Sequence, residues 1–297
     1  MATPASSQTP VGPDRVLAEA PYRIGAVSLV VRDLAALTRF YRDILGLRIL
    51  LEADGAAHLG TGDTPLLVLR HDPDARPRQP REAGLFHTAF LLPGRGDLGA
   101  WLPHAEKRGI ALTGGADHLV SEAVYLDDPE GNGIEIYVDR PASAWPRAPD
   151  GSVEMRNERL DHAGLVGAAA RPWSEMPAAG CVGHVHLQVG DLDVAERFYA
   201  HLLGFDVMCR YPGALFLGAG GYHHQLAGNV WNSRGAPMRS DGTTGLAEVA
   251  LLTDEQTLAS ARVRCSEAGV ATSADGDALV VRDPWGTHLR LKPQPGR

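Results

Sequence analysis

Cysteine is scarce in this 297-residue chain: Cys181, Cys209 and Cys265 are odd in number and widely separated. That excludes a disulfide framework and a zinc knuckle, and it reads as reduced thiols in a cytosol. Long apolar runs are also missing. No stretch approaches the ~18 to 20 consecutive apolar residues that a membrane helix requires, and the opening MATPASSQTPVGPDR has neither a basic segment nor an apolar one, so no secretion signal is expected and a cytoplasmic protein is. Basic charge is in deficit. With 28 Lys+Arg against 36 Asp+Glu the net charge is −8, and no basic patch or basic helix stands out to neutralise phosphates, which argues against nucleic acid as a partner. A small-molecule or protein partner and no membrane are expected, with homo-oligomerisation left open.

What is present is ordinary globular composition, 44% hydrophobic and 22% charged, long enough for two domains that each bury a core. The most informative stretch is Asp117 to Arg140, DHLVSEAVYLDDPEGNGIEIYVDR. It reads as strand, turn, strand: Ala123, Tyr125 and Asp127 alternate with Val124 and Leu126, Asp-Pro-Glu-Gly-Asn-Gly breaks the chain, and Ile134, Ile136 and Val138 alternate with Glu135 and Tyr137. A carboxylate between isoleucines faces either solvent, the commoner case, or a cavity in which something balances its charge.

The two halves repeat. A shift of 158 residues lays Val30-Val31-Arg32-Asp33-Leu34 on Gln188-Val189-Gly190-Asp191-Leu192, Phe40-Tyr41 on Phe198-Tyr199, Leu45-Gly46-Leu47 on Leu203-Gly204-Phe205 and Leu59-Gly60 on Leu217-Gly218. Each segment predicts a strand, then an Asp N-cap opening an amphipathic helix (33–45 and 191–203), a Gly C-cap and further strands. Later, Gly84 to Ala89 answers to Gly245 to Ala250, helices over 97–108 and 254–268 follow, and Asp128-Pro129 with Gly131 answers to Asp283-Pro284 with Gly286. The fold class expected is therefore α+β, four βαβββ modules, each too small to cover its own sheet and obliged to pair. The expected boundaries are a disordered tail over 1–22, a first domain over 23–140 holding modules 1 and 2, a linker over 141–180 with a short helix near 160–169, and a second domain over 181–293 holding modules 3 and 4.

Gly183-His184-Val185-His186-Leu187, Ala219-Gly220-Gly221-Tyr222-His223-His224, Asp117 to Ala123 and Gly131 to Tyr137 carry a resemblance to the vicinal oxygen chelate superfamily. It spans 23–292 and is closest to the catechol-2,3-dioxygenase-like branch of the glyoxalase, bleomycin-resistance and type I extradiol dioxygenase group. The resemblance implies that two modules form one cupped, mixed-sheet barrel with a metal inside, held by residues of the first and last strands of each module. At those positions module 1 offers Ala26 and about Leu66, module 4 offers Glu248 and Arg290, module 2 offers His87 and Glu135, and module 3 offers His184 with His223-His224. Sequential pairing leaves no barrel with two histidines and a carboxylate unless Glu248 completes one. Pairing module 2 with 3, and hence 1 with 4, gathers His87, His184 and Glu135.

A histidine taken singly is more often a surface or structural residue than a ligand, but here three positions agree with one template. Two imidazoles and a carboxylate on one face of a metal leave adjacent positions open, as in non-haem Fe(II) oxygenases. The resemblance then implies an extradiol dioxygenase that acts on a small aromatic diol with O2 and uses Fe(II), with Mn(II) accommodated by the same ligands. It places His224 as the acid–base catalyst, Tyr125 as a donor to a substrate oxygen and His118 as a further donor. His223 and His224, read as strand neighbours, point to opposite faces, and His224 is the one assigned to the cavity. His186 shares the strand face of His184, while His58, His71, His104, His162 and His201 are expected in loops or on helix surfaces. Gln225 stands where this branch often has a third histidine, and the later ligands do not come from module 4 as they do in the usual dioxygenase pattern. The competing readings are a glyoxalase-like metal-dependent isomerase or lyase and a metal-free small-molecule-binding resistance protein.

Overall fold

The computed structural model describes residues 15–294. A short helix α1 (Arg15–Glu19) precedes module 1, which runs β1 (Tyr22–Val31), α2 (Leu34–Leu45), β2 (Arg48–Ala53), β3 (Ala56–Thr61) and β4 (Thr64–His71). Module 2 runs β5 (Gly84–Leu91), α3 (Arg95–Lys107), β6 (Gly114–Asp117), β7 (Ser121–Asp127) and β8 (Gly133–Asp139). The connecting segment carries α4 (His162–Gly167). Module 3 is β9 (Cys181–Gln188), α5 (Leu192–Glu196), β10 (Asp206–Tyr211), β11 (Ala214–Gly218) and β12 (Leu226–Asn229), and module 4 is β13 (Gly245–Thr253), α6 (Glu255–Glu267), β14 (Thr272–Asp275), β15 (Ala278–Arg282) and β16 (His288–Pro293).

The local chemistry explains the helices. Asp33, Asp191 and Asp254 each accept a hydrogen bond from the backbone N–H three residues on, at 2.9, 2.9 and 2.7 Å, satisfying a donor that the first helical turn leaves without a partner. Gly46 ends α2 in the left-handed region at φ 72°, a conformation that costs a residue with a Cβ. The same helix buries Leu37, Tyr41, Ile44 and Leu45 on one stripe.

The strands form two eight-stranded mixed sheets. One has the order β14-β15-β16-β13-β1-β4-β3-β2 and the other β10-β11-β12-β9-β5-β8-β7-β6. Modules 1 and 4 thus share one sheet and modules 2 and 3 the other, the cross-half pairing that the distribution of polar residues demands. At the centre of the second sheet β5 and β9 run antiparallel, with His87 opposite His186 and Ala89 opposite His184; β8 lies parallel on the far side of β5, with Glu135 opposite Ala89. The repeat extends to buried detail. Tyr41 donates to Asp128 at 2.9 Å and Tyr199 to Asp283 at 2.6 Å, so each half of the chain ties the helix of its first module to the turn before the last strand of its second module by the same bond.

Several expectations need correction. The tail expected over 1–22 falls outside the described residues for 1–14, but Arg15–Glu19 is helical, Leu17 and Ala20 are buried and β1 already begins at Tyr22. The helix expected over 191–203 is α-helical only to Glu196 and continues as a π-helical turn, Arg197–Leu202. Helix α3 starts at Arg95 behind Gly94, with Asp97 inside its first turn. His58 and His71 lie on β3 and β4 rather than in loops. His223 and His224 are not strand neighbours: β12 begins only at Leu226. Among the described residues no helix is long and apolar enough to cross a membrane.

Candidate metal centre

Three strands at the heart of the second sheet deliver the site. On β8 the residues Glu135, Tyr137 and Asp139 fall on one face by strand parity, as do His184 and His186 on β9. The cross-strand register then brings His87, Glu135 and His184 together, with one ligand atom of each within 4.8 Å of the others and all three buried. Glu135 is the hub. Its Oε2 is 2.9 Å from His87 Nε2 and 3.2 Å from His184 Nε2.

These separations suit a shared ion. Donors at right angles on bonds of about 2.1 Å sit about 3.0 Å apart. His184 donates to Glu135, whereas His87 Nε2, though close to the carboxylate and sealed from solvent, makes no hydrogen bond. A buried imidazole nitrogen close to a carboxylate yet without a hydrogen bond is the kind of orphan that an ion would satisfy. Protonation states agree. Burial pushes His184 down to about 4, only partly offset by Glu135; burial pushes the Glu135 carboxyl up, but His184 and then His87 outweigh it and hold the group well below the usual carboxylate range. His184 at neutral pH is thus a neutral imidazole and Glu135 an ionised carboxylate, the forms that ligate metals.

The cluster opens into a cavity of about 720 Å³ whose lining includes Phe86, Phe216, Tyr211 and Trp231 together with Tyr125, His118 and His224. Phe86 packs edge to face against His186 and Trp231, ring centroids 5.0 and 5.4 Å apart, the His186 and Trp231 rings lie tilted at 5.5 Å, and Asn229 Nδ2 donates to His186 Nε2 at 3.0 Å. His186 is thereby a wall residue whose Nε2 is already engaged. The segment between modules 2 and 3 supplies part of the wall through residues 155–159.

Tyr125 on β7 stands directly across from Glu135 on β8. Its hydroxyl is 2.5 Å from His118 Nε2, and His118 Nδ1 is 3.2 Å from the Arg156 carbonyl. A carbonyl only accepts, so Nδ1 of His118 carries the proton and Nε2 receives the tyrosine's. Burial, and then Glu135, push the Tyr125 hydroxyl well above its ordinary value, so it remains a donor. His224 also lines the cavity, its ring 4.1 Å from that of His184. His223 sits behind it. The strand-parity argument fails for this pair because residues 220–225 form a turn; their Nδ1 atoms face each other at 2.8 Å instead of pointing apart. Burial also pushes His224 well below the ordinary imidazole range.

Asp139 was missed by sequence reasoning: it accepts from His223 Nε2 at 2.8 Å and from Tyr222 at 2.8 Å. The signal was the row of polar residues at period two, Glu135, Tyr137 and Asp139, between Ile134, Ile136 and Val138. Gly183 is another. A Cβ there would lie 1.8 Å from the Tyr137 hydroxyl, so only glycine lets that phenol tuck under the His184 strand.

The first sheet shows what the same scaffold does without such a set. In a smaller cavity of about 480 Å³, Arg290 faces Ala250 as Glu135 faces Ala89. Arg290 makes two bonds to Glu248 at 3.0 and 2.9 Å and also pairs with Asp275. A guanidinium fills the cup that the other sheet leaves to imidazoles.

Comparison with known proteins agrees with this architecture. The model of the Glyoxalase/Bleomycin resistance protein/Dioxygenase superfamily matches residues 23–136 and 182–291. Catechol-2,3-dioxygenase of Bacillus subtilis (strain 168) is 39% identical over 267 residues, covering 88% of this chain and 93% of that protein. Biphenyl-2,3-diol 1,2-dioxygenase 3 of Rhodococcus globerulus is 31% identical over 120 residues, 39% of this chain and 63% of its own. Among solved structures, one from Bacillus subtilis subsp. subtilis str. 168 superposes with a TM-score of 0.64 at 15% identity, covering 92% of this chain and 86% of that one; glyoxalase I from Zea mays gives 0.57 at 18%, covering 92% and 93%. Sequence and fold together show that this chain belongs to the glyoxalase/bleomycin resistance protein/dioxygenase superfamily.

Proposed function

We propose that this protein is a non-haem Fe(II)-dependent extradiol dioxygenase that cleaves a catechol-type ring with O2. The observation that carries the reading is the convergence of His87, Glu135 and His184 within 4.8 Å in a ring-lined cavity, supported by the 39% identity to a catechol-2,3-dioxygenase. Those three side chains would hold the ion on one side only. Bound there, an Fe(II) centre supplies sites at which vicinal oxygens and dioxygen meet and exchange electrons; Mn(II) suits the same donors.

The rest is the work of the chain's own side chains. Phe86, Phe216 and Trp231 stack and orient an aromatic ring and exclude water from it. Nε2 of His224 receives the proton that a diol hydroxyl releases and returns it later in the cycle. Tyr125 turns its one proton from His118 Nε2 to a substrate oxygen as negative charge grows there.

The test is anaerobic purification, metal quantitation, and oxygen uptake over a panel of catechols, following the yellow ring-fission product. One equivalent of iron with catechol-dependent oxygen consumption is expected. Iron-loaded protein that consumes no oxygen with any catechol yet isomerises a hemithioacetal would replace this reading with a glyoxalase-like one; protein that retains no metal would point to a binding module.

A further inference from the structure

We propose that Asp139, acting through His223, is a positioning residue that fixes which nitrogen of His224 carries the proton and so leaves the His224 Nε2 lone pair open to the cavity. The inference rests on the proposed role of His224 but is read from a separate, buried chain of bonds. Asp139 Oδ1 is 2.8 Å from His223 Nε2, and His223 Nδ1 is 2.8 Å from His224 Nδ1. Tyr222 donates to Asp139 Oδ2 at 2.8 Å, and the Tyr137 and Tyr222 hydroxyls are 2.9 Å apart.

The direction of each bond follows from what each atom can do. An ionised carboxylate only accepts, so His223 Nε2 carries a proton. Carrying that single N–H, His223 accepts at Nδ1, and the nitrogen facing it, His224 Nδ1, donates. His224 Nε2 is then bare. It has no hydrogen-bond partner among the described residues, while its ring lines the cavity. Tyr222 spends its proton on Asp139, so Tyr137 donates to Tyr222, and both carboxylate oxygens are fixed. Packing holds the relay in place: His223 is fully buried, the Trp145 ring lies 5.0 Å from it at 67° and the Tyr222 ring 4.1 Å from it at 32°. The logic is that of a buried carboxylate orienting a catalytic imidazole, extended by one histidine.

The test reads tautomers directly. Protein labelled with ¹⁵N at histidine, metal-free and again loaded with diamagnetic Zn(II), is examined by NMR, with His223→Gln and His224→Gln used for assignment. The expected spectrum has His224 protonated at Nδ1 and bare at Nε2, and His223 the reverse. A His224 protonated at Nε2, or a His223 protonated at both nitrogens, overturns the proposal without reference to any activity and without any variant at Asp139. In kinetics, Asp139→Ala is expected to lower kcat at least 30-fold with KM within threefold and metal content unchanged, and Asp139→Asn, which keeps an acceptor oxygen, to recover part of the loss. A kcat for Asp139→Ala within threefold of the parent refutes the positioning role. If the parent itself takes up no oxygen with any catechol, the proposed function fails, and the tautomers still decide the relay.

Discussion

Replacing Glu135 by Gln separates a metal site from a structural ion pair, because the two differ in the metal-free protein. Glu135 is 3% exposed and has two neighbours able to bond it. If the cluster exists to hold the fold together, removing one partner of a buried charge pair costs about 3–5 kcal/mol. Burial, however, keeps His184 neutral, pushed down to about 4, so Glu135→Gln strands no charge on His184, and the loss of its hydrogen bond is balanced by the desolvation of a carboxylate that no longer has to be buried. The metal-free variant is therefore expected within about 1 kcal/mol of the parent, at most about 4 °C in Tm for a chain of this size. With metal at a hundred times the parent's Kd the parent gains about 2.7 kcal/mol and the variant almost nothing. Differential scanning fluorimetry with and without Fe(II) or Mn(II), under anaerobic conditions, reads both numbers. A metal-free variant destabilised by more than 3 kcal/mol, together with a parent whose Tm ignores metal, would refute the argument.

Three further outcomes are expected. Stability should fall on acidification: burial depresses His184, His186 and His224, so between the unfolded value near 6.5 and the lower folded values the unfolded chain binds more protons, and the stability present above about pH 6.5 is lost as pH drops towards 4. Urea titrations of metal-free protein at pH 7.5 and 5.0 check the sign, and equal midpoints would show that these imidazoles are not buried neutral. Tyr125→Phe removes one donor beside a developing charge and should lower kcat by about 10- to 100-fold, the worth of one charge-assisted bond, with metal content unchanged in quantitation. Tyr41→Phe and Tyr199→Phe each delete one bond to a buried carboxylate, at 2.9 and 2.6 Å, and should each cost about 1.5–3 kcal/mol in chemical denaturation; similar losses would confirm that the two halves use one clasp.

Much of this was legible in the chain itself because it depends on local pattern. Period-two alternation around Glu135, Asp caps at 33, 191 and 254, and the internal repeat are written residue by residue, and they determine strands, helix starts and four modules. The unequal share of polar residues among the modules determined which modules share a sheet, since only modules 2 and 3 together place two histidines beside a carboxylate. What the sequence could not carry was the path of the chain where hydrogen bonding departs from the repeat. The parity argument for His223 and His224 required a strand, and a turn at Gly220-Gly221, with φ of 65° and 81°, put both imidazoles side by side instead. Asp139 takes the bonds from Tyr222 and His223, and Trp145 its ring contacts with the same two residues, from more than seventy positions away, and the wall formed by residues 155–159 depends on where a non-repeating segment packs. Pattern fixes which face a side chain takes, because strand geometry is periodic; which other face it meets is decided only when the sheets form and buried donors must find acceptors.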